Sequence, residues 1–180
     1  MEENHKLVVY TIGHSNRPIA DFLALLEAHG VKKVVDVRTI PKSRHNPQFN
    51  QDELRKSLAD VRIGYRHLKA LGGLRHAPRD SANMGWRNLS FRGFADYMQT
   101  EEFDHGLELL EAIASKQPTT IMCAEGNPWR CHRSLIADAL TKRKWKVLEI
   151  SSRKTARPHK LTPFLRMRKG RLVYPAEAAV

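Results

Sequence analysis

The chain has two cysteines, and both lie in one short stretch, Thr119-Thr-Ile-Met-Cys123-Ala-Glu-Gly-Asn-Pro-Trp-Arg-Cys131-His-Arg-Ser134. An apolar run ends in Cys123, a Gly-Asn-Pro turn follows, and a helix-forming segment begins just after Arg133 and Ser134. A thiol and two arginines between a strand end and a helix N-terminus make a candidate anion site. Unpaired backbone N–H groups and the positive end of the helix dipole favour negative charge there. The same field lowers a thiol's pKa and makes it nucleophilic. Cys123 is therefore the candidate nucleophile, with Asp36, Glu125 and His14 as acid–base candidates. Arg38, Arg130 and Arg133 are candidate anion ligands, because a guanidinium pairs bidentately with phosphate. Ser15, His132 and Ser134 are their polar neighbours in the candidate site.

Each of these residues also has a plainer reading. A cysteine at a strand end is often only a small buried side chain. Cys131, among charged neighbours at a helix start, is expected to be the more exposed thiol. Glu125 either caps its loop through backbone amides or holds a basic partner such as Arg133. Asp36 either caps the adjoining loop and positions Arg38 or serves as a base. His132 has a packing role as its alternative. His14 and Ser15 are neighbours and point apart on a strand, which argues against a Ser–His couple between them. Cys123, Cys131 and His132, with His14 or Glu125, would offer zinc or iron a donor set. The Cys-x7-Cys-His spacing matches none of the usual zinc patterns, so no metal ligand is assigned, and the sequence names no cofactor.

The elements that must position these groups follow from the hydrophobic pattern. Lys6–Ile12, Val31–Val37, Ile63–Leu68, Thr119–Cys123 and Trp145–Ile150 read as strands. Pro18 suits the first turn of a helix with an apolar face at Ile19, Phe22, Leu23, Leu25 and Leu26, which Gly30 stops. Asn50 with Glu53 reads as a capping box opening a helix to about Ala59. Further helices are expected over Phe91–Met98, Glu101–Ser115 and Ser134–Arg143, with irregular stretches over Pro41–Phe49 and Arg75–Ser90. Leu165–Tyr174 reads as a hairpin turning at Lys169-Gly170. Strands alternating with helices predict a three-layer α/β/α fold around a mostly parallel five-stranded sheet, with a small C-terminal hairpin. In such sheets the binding crevice lies beyond the carboxyl ends of the strands. There stand His14 and Ser15, Asp36 and Arg38, His67, Cys123 and Glu125, and Ser151 and Arg153, and of these His14, Asp36, Arg38, Cys123 and Glu125 are expected to converge with Arg133 on one pocket.

With 180 residues, 41% of them hydrophobic, the chain forms one domain over 1–180. No stretch is apolar enough to span a bilayer, and Met1–Asn4 has no leader character, so a cytoplasmic protein without membrane contact is expected. The net charge is +12, and Thr141–Val180 holds twelve Lys and Arg against Glu149 and Glu177. A basic C-terminal extension, about 151–180, is expected to meet nucleic acid or another polyanion, or simply to be solvated.

The order of elements, with Asp36-Val-Arg38 after one strand and a Cys-to-Arg loop after another, resembles the rhodanese and cysteine-phosphatase plan. Arg130 lies seven residues after Cys123, one more than the phosphatase loop has, and the loop carries Glu125 and Pro128. A fuller resemblance spans the chain. Tyr10-Thr-Ile-Gly-His-Ser-Asn16, Val35-Asp-Val-Arg38 with Pro41 and Ser43, Leu71-Gly-Gly73, Cys123-Ala-Glu125, Cys131-His-Arg-Ser134 and Gly170-Arg-Leu-Val-Tyr-Pro175 are similar to the bacterial domain of unknown function 488 family. That resemblance implies a compact α/β domain and carries no activity with it.

The functional expectation is binding or processing of a phosphate-bearing substrate, a nucleotide or nucleic acid, at a Cys/Arg/Asp pocket. One alternative is a non-catalytic nucleic-acid-binding module using the basic tail with Trp129 and Trp145. The other is a Cys/His metal-binding protein.

Overall fold

A computed structural model describes residues 7–177. Parallel strands β1 (Val8–Gly13), β2 (Lys33–Asp36), β3 (Gly64–His67), β4 (Thr119–Cys123) and β5 (Lys146–Ile150) form the sheet, and a short β6 (Ala156–Pro158) joins antiparallel to β5. The order across the sheet is β3-β2-β4-β1-β5-β6. β4 is buried along its whole length, as expected of a continuous apolar run between two parallel neighbours. Five of the six strands match the sequence expectation. Lys6, where the first strand was expected to start, lies outside the described residues, as does the Met1–Asn4 segment.

Helices α1 (Ile19–Ala28) and α2 (Gln51–Asp60) cover one face of the sheet. Their Phe22, Leu25, Leu26, Leu54 and Leu58 meet Ile12, Val34, Met122 and Ile150. Helices α3 (Leu89–Tyr97), α4 (Glu101–Ala114) and α5 (Arg133–Lys142) cover the other. There Phe94, Phe103, Leu107, Leu110, Leu135 and Ile136 pack on Val9, Val35, Ile121 and Val147. Because successive strand residues face opposite ways, this split assigns every strand-end side chain to a face. The chain runs from β1 over one face and from β4 over the other. The two strands are adjacent, so the topological switch point lies between their carboxyl ends.

Two local devices differ from expectation. The Asn50–Glu53 capping box does not form: Asn50 Oδ1 instead accepts from the Ser43 amide at 2.7 Å, tying down the preceding loop. The sixth strand has no signal in the sequence, being three residues long and ending in Pro158, which an edge position tolerates. The hairpin β7 (Arg166–Arg168) and β8 (Arg171–Val173) turns where expected, with positive φ at both Lys169 (50°) and Gly170 (75°). The described part of the C-terminal segment is anchored through one buried carboxylate. Asp138 of α5 accepts from Thr162 Oγ1 (2.7 Å), the Thr162 amide (3.1 Å) and Tyr174 Oη (2.8 Å), and pairs with His159 (2.7 Å).

Candidate functional site

The strand-end residues divide into two buried groups on opposite faces of the sheet. Asp36 is level with Met122 on the neighbouring strand and points to the α1–α2 face, whereas Cys123 points to the α5 face. The single pocket expected for Asp36 and Cys123 is therefore not formed, because β-strand alternation sends them apart.

On the α1–α2 side, the Arg38 guanidinium lies against Asp36, with Nε at 2.9 Å and Nη2 at 2.7 Å from its oxygens. Tyr65 Oη donates to the same carboxylate at 2.6 Å, and burial together with the Asp36 charge pushes the phenol well up. His14 stacks on Phe49 at 4.2 Å. Its Nδ1 lies 2.7 Å from the Ser15 carbonyl and must donate, leaving the Nε2 lone pair for Arg38 Nη1 at 3.4 Å. Burial, aided by the Arg38 charge, outweighs the bond to Ser15 and lowers His14 to about 4, so the ring is neutral. Asp36 both positions Arg38 and caps its amide at 3.1 Å.

On the α5 side, Arg133 is fully buried, and its five N–H groups have protein partners. Nε donates to Thr11 Oγ1 (3.1 Å), Nη1 to Cys123 Sγ (2.7 Å) and the Glu125 carbonyl, and Nη2 to the Gly126 carbonyl (3.3 Å) and Glu149 Oε1 (2.8 Å). Burial disfavours its charge, but the Cys123 thiol and Glu149 carboxylate more than compensate and raise its pKa. Glu149 also accepts from Thr11 Oγ1. Glu125 is exposed, and its Oε1 accepts from the Asn127 amide at 3.1 Å, so it caps its own loop. The loop lies so close to β1 that a Cβ on Gly13 would sit 1.8 Å from the Glu125 carbonyl oxygen, and only glycine fits there.

Cys131, at 6% exposure against 2% for Cys123, is the less buried thiol as expected, but both lie in the core on the α5 side. Its Sγ receives the Arg133 amide at 3.5 Å and lies 3.5 Å from His132 Nδ1. His132 Nε2 faces the Val37 carbonyl at 2.8 Å and must donate, so Nδ1 presents its lone pair to the Cys131 thiol. Burial lowers His132 against the pull of the Val37 and Leu71 carbonyls and so disfavours its cation. The two thiols titrate as a pair. Burial, then the neighbouring Cys131, pushes Cys123 well up. Burial also opposes ionisation of Cys131, but its bond with Cys123 and the Arg133 charge bring it down. Cys131 ionises first.

Next to this face lies an open cavity of about 720 Å³ beyond the carboxyl ends of β1 and β5, lined by Thr11, Arg133, Ser134 and Glu149 at its floor. Arg17, Trp129, Arg157, His159 and Lys160 form its rim. The Trp129 ring is 48% exposed and lies nearly parallel to His159, at 5.9 Å and 28°. No group of three His, Cys, Asp or Glu with metal-binding geometry occurs among the described residues. No helix of the described residues is long and apolar enough to cross a membrane.

The family described as Domain of unknown function DUF488 matches residues 18–140. The chain belongs to that family. Among curated proteins and among solved structures, nothing matches. The DUF488 match takes in β2 to β4 with Cys123, Cys131 and most of α5, and leaves β1 and β5 outside.

In this DUF488 domain, Cys123, Glu125 and Arg133 come together, as do His14, Asp36 and Arg38. Ser15, at φ 52°, turns the chain with its amide on the Ala124 carbonyl, and Arg130 is exposed in the loop. Ser134 Oγ bonds the Cys131 carbonyl at 2.9 Å at the cavity floor. Trp145 is core, its Nε1 donating to Glu111 at 3.0 Å. Sequence reasoning missed Glu149, Thr11 and Arg17, and placed Arg157 and Lys160 only in the basic C-terminal extension that was expected to meet a polyanion. Glu149 alone had a signal, as an acid inside an otherwise apolar strand.

Proposed function

We propose that the protein binds a phosphate-bearing ligand, a nucleotide or a nucleotide unit of a nucleic-acid strand, in the cavity beyond β1 and β5. The observation that carries this reading is the rim: an exposed indole beside three cations, Arg17, Arg157 and Lys160, over a 720 Å³ cavity. An indole gives a base a stacking surface, and the cations meet phosphate. The volume falls in the range usual for small-molecule sites. Arg133 is not the anion ligand in this reading, because its donors are engaged and Glu149 neutralises it. It holds the cavity floor in shape instead.

Titration of the protein with adenosine monophosphate, a short single-stranded oligonucleotide and inorganic phosphate, followed calorimetrically, tests the reading. The nucleotide and oligonucleotide should bind, and phosphate should bind far more weakly. Trp129→Ala should weaken nucleotide binding about tenfold, the equivalent of roughly 1.4 kcal/mol of stacking. Arg157→Gln with Lys160→Gln should weaken nucleotide and phosphate binding together. No nucleotide binding by the wild type, or binding indifferent to Trp129, would end the proposal.

A further inference from the structure

The cavity makes no use of the two thiols, yet their surroundings are specific. Arg133 touches both, through its amide to Cys131 Sγ at 3.5 Å and its guanidinium to Cys123 Sγ at 2.7 Å. Cys131 alone also has a base: His132 Nδ1 at 3.5 Å, with the ring fixed by its Nε2–H on the Val37 carbonyl at 2.8 Å. The Gly73 position confirms how tightly that ring is held, since a Cβ there would lie 2.5 Å from Nδ1. A nucleophile, an oriented base and a backbone donor at the start of a ten-residue helix are the parts an activated thiol requires. A second thiol on the same arginine is where a resolving group would stand.

We propose that Cys131 and Cys123 form a redox-active dithiol that reduces a small hydroperoxide, Cys131 attacking and Cys123 resolving. In the first step Cys131 Sγ bonds to the near oxygen of hydrogen peroxide as the O–O bond breaks. The thiol proton passes to His132 Nδ1 and on to the departing hydroxide, which leaves as water. Cys131 is then a sulfenic acid. In the second step the Cys123 thiol displaces that hydroxyl, forming the Cys123–Cys131 disulfide and a second water. Two sulfurs are oxidised by one electron each and the peroxide is reduced by two. A dithiol reductant restores both thiols by exchange and leaves as its own disulfide. With Cys131 6% and Cys123 2% exposed, a molecule the size of hydrogen peroxide suits the site better than a bulky oxidant.

The test treats wild type, Cys123→Ser and Cys131→Ser with hydrogen peroxide and locates products by peptide mass mapping, which separates thiol oxidation from methionine sulfoxide. The wild type should lose two hydrogens as a peptide pair linking Cys123 to Cys131, and dithiothreitol should restore them. Cys123→Ser should carry added oxygen on Cys131 with no disulfide. Cys131→Ser should leave Cys123 unoxidised at the same peroxide dose. A wild type that forms no linked pair overturns the proposal, as does oxidation of Cys123 in Cys131→Ser at the wild-type rate. Circular dichroism of both variants before treatment identifies any that has not folded. If either serine variant is unfolded, the corresponding alanine variant is used with the same expected and overturning results.

Discussion

Two of the three arginines that sequence reading offered to an external anion are engaged by carboxylates of the protein itself, Arg38 by Asp36 and Arg133 by Glu149, while Arg130 is exposed. A buried guanidinium without such a partner would be strongly destabilising, so burial and pairing arrive together. His14 shows the complementary solution, a titratable group kept neutral. Its pKa of about 4 lies below the ordinary 6.5, so between those values the unfolded chain takes up a proton that the folded chain refuses. Stability from this group is complete above 6.5 and is lost as the pH falls towards 4, by at most roughly 3 kcal/mol. His14→Gln, which can keep a donor for Ser15 and an acceptor for Arg38, should lose less stability over that window than the wild type. Urea unfolding of both proteins at the two ends of the window measures this. Equal losses would show that His14 does not titrate on unfolding as described. The residue types at the site were legible from the sequence because they follow apolar runs. Their partners were not: Glu149 reaches Arg133 of α5 from β5, and only the packing of that helix on the sheet brings them together.

At the scale of elements, the apolar pattern gave all five parallel strands to within two residues at each end, and the Lys-Gly dipeptide gave the hairpin turn. What failed was whatever depends on a competing partner. Asn50 has the right spacing for a capping box, but a loop amide takes its side chain. β6 exists because β5 offers an open edge, not because Ala156–Pro158 prefers to be a strand. The face assignment failed for the same reason, since alternation had to be counted from observed register before Asp36 and Cys123 could be separated. The contact between β1 and the Cys123 loop gives the sharpest element-level prediction. Gly13→Ala would drive a methyl into the Glu125 carbonyl and so push the loop, with Trp129, off the strand end. A loss of about 1–3 kcal/mol or more in thermal or urea unfolding is expected, with weakened nucleotide binding. An unchanged melting temperature would mean the loop moves away without cost.

Across the whole molecule, the basic excess sits on a C-terminal segment that Asp138 fastens to α5, so the charge is presented by a fixed surface over its described residues. Arg153, Lys154, Arg168 and Lys169 are exposed and lie outside the cavity rim. If a single strand continues from the cavity across this surface, replacing these four by Gln should flatten the dependence of binding on salt. The expected change is roughly 0.7 in the logarithmic slope for each phosphate contact removed, with nucleotide binding in the cavity preserved. A slope identical to wild type would confine the ligand to the cavity.

The strand order also fixes a timetable. β1 occupies residues 8–13, yet both strands that flank it, β4 and β5, lie beyond residue 118. On a chain made from its N-terminus, the earliest strand must therefore wait for most of synthesis before either side is covered, while β2 and β3 can pair long before. Distant pairings of this kind slow folding and leave apolar strands open to other chains. The first strand to be made is the one that waits longest to be enclosed.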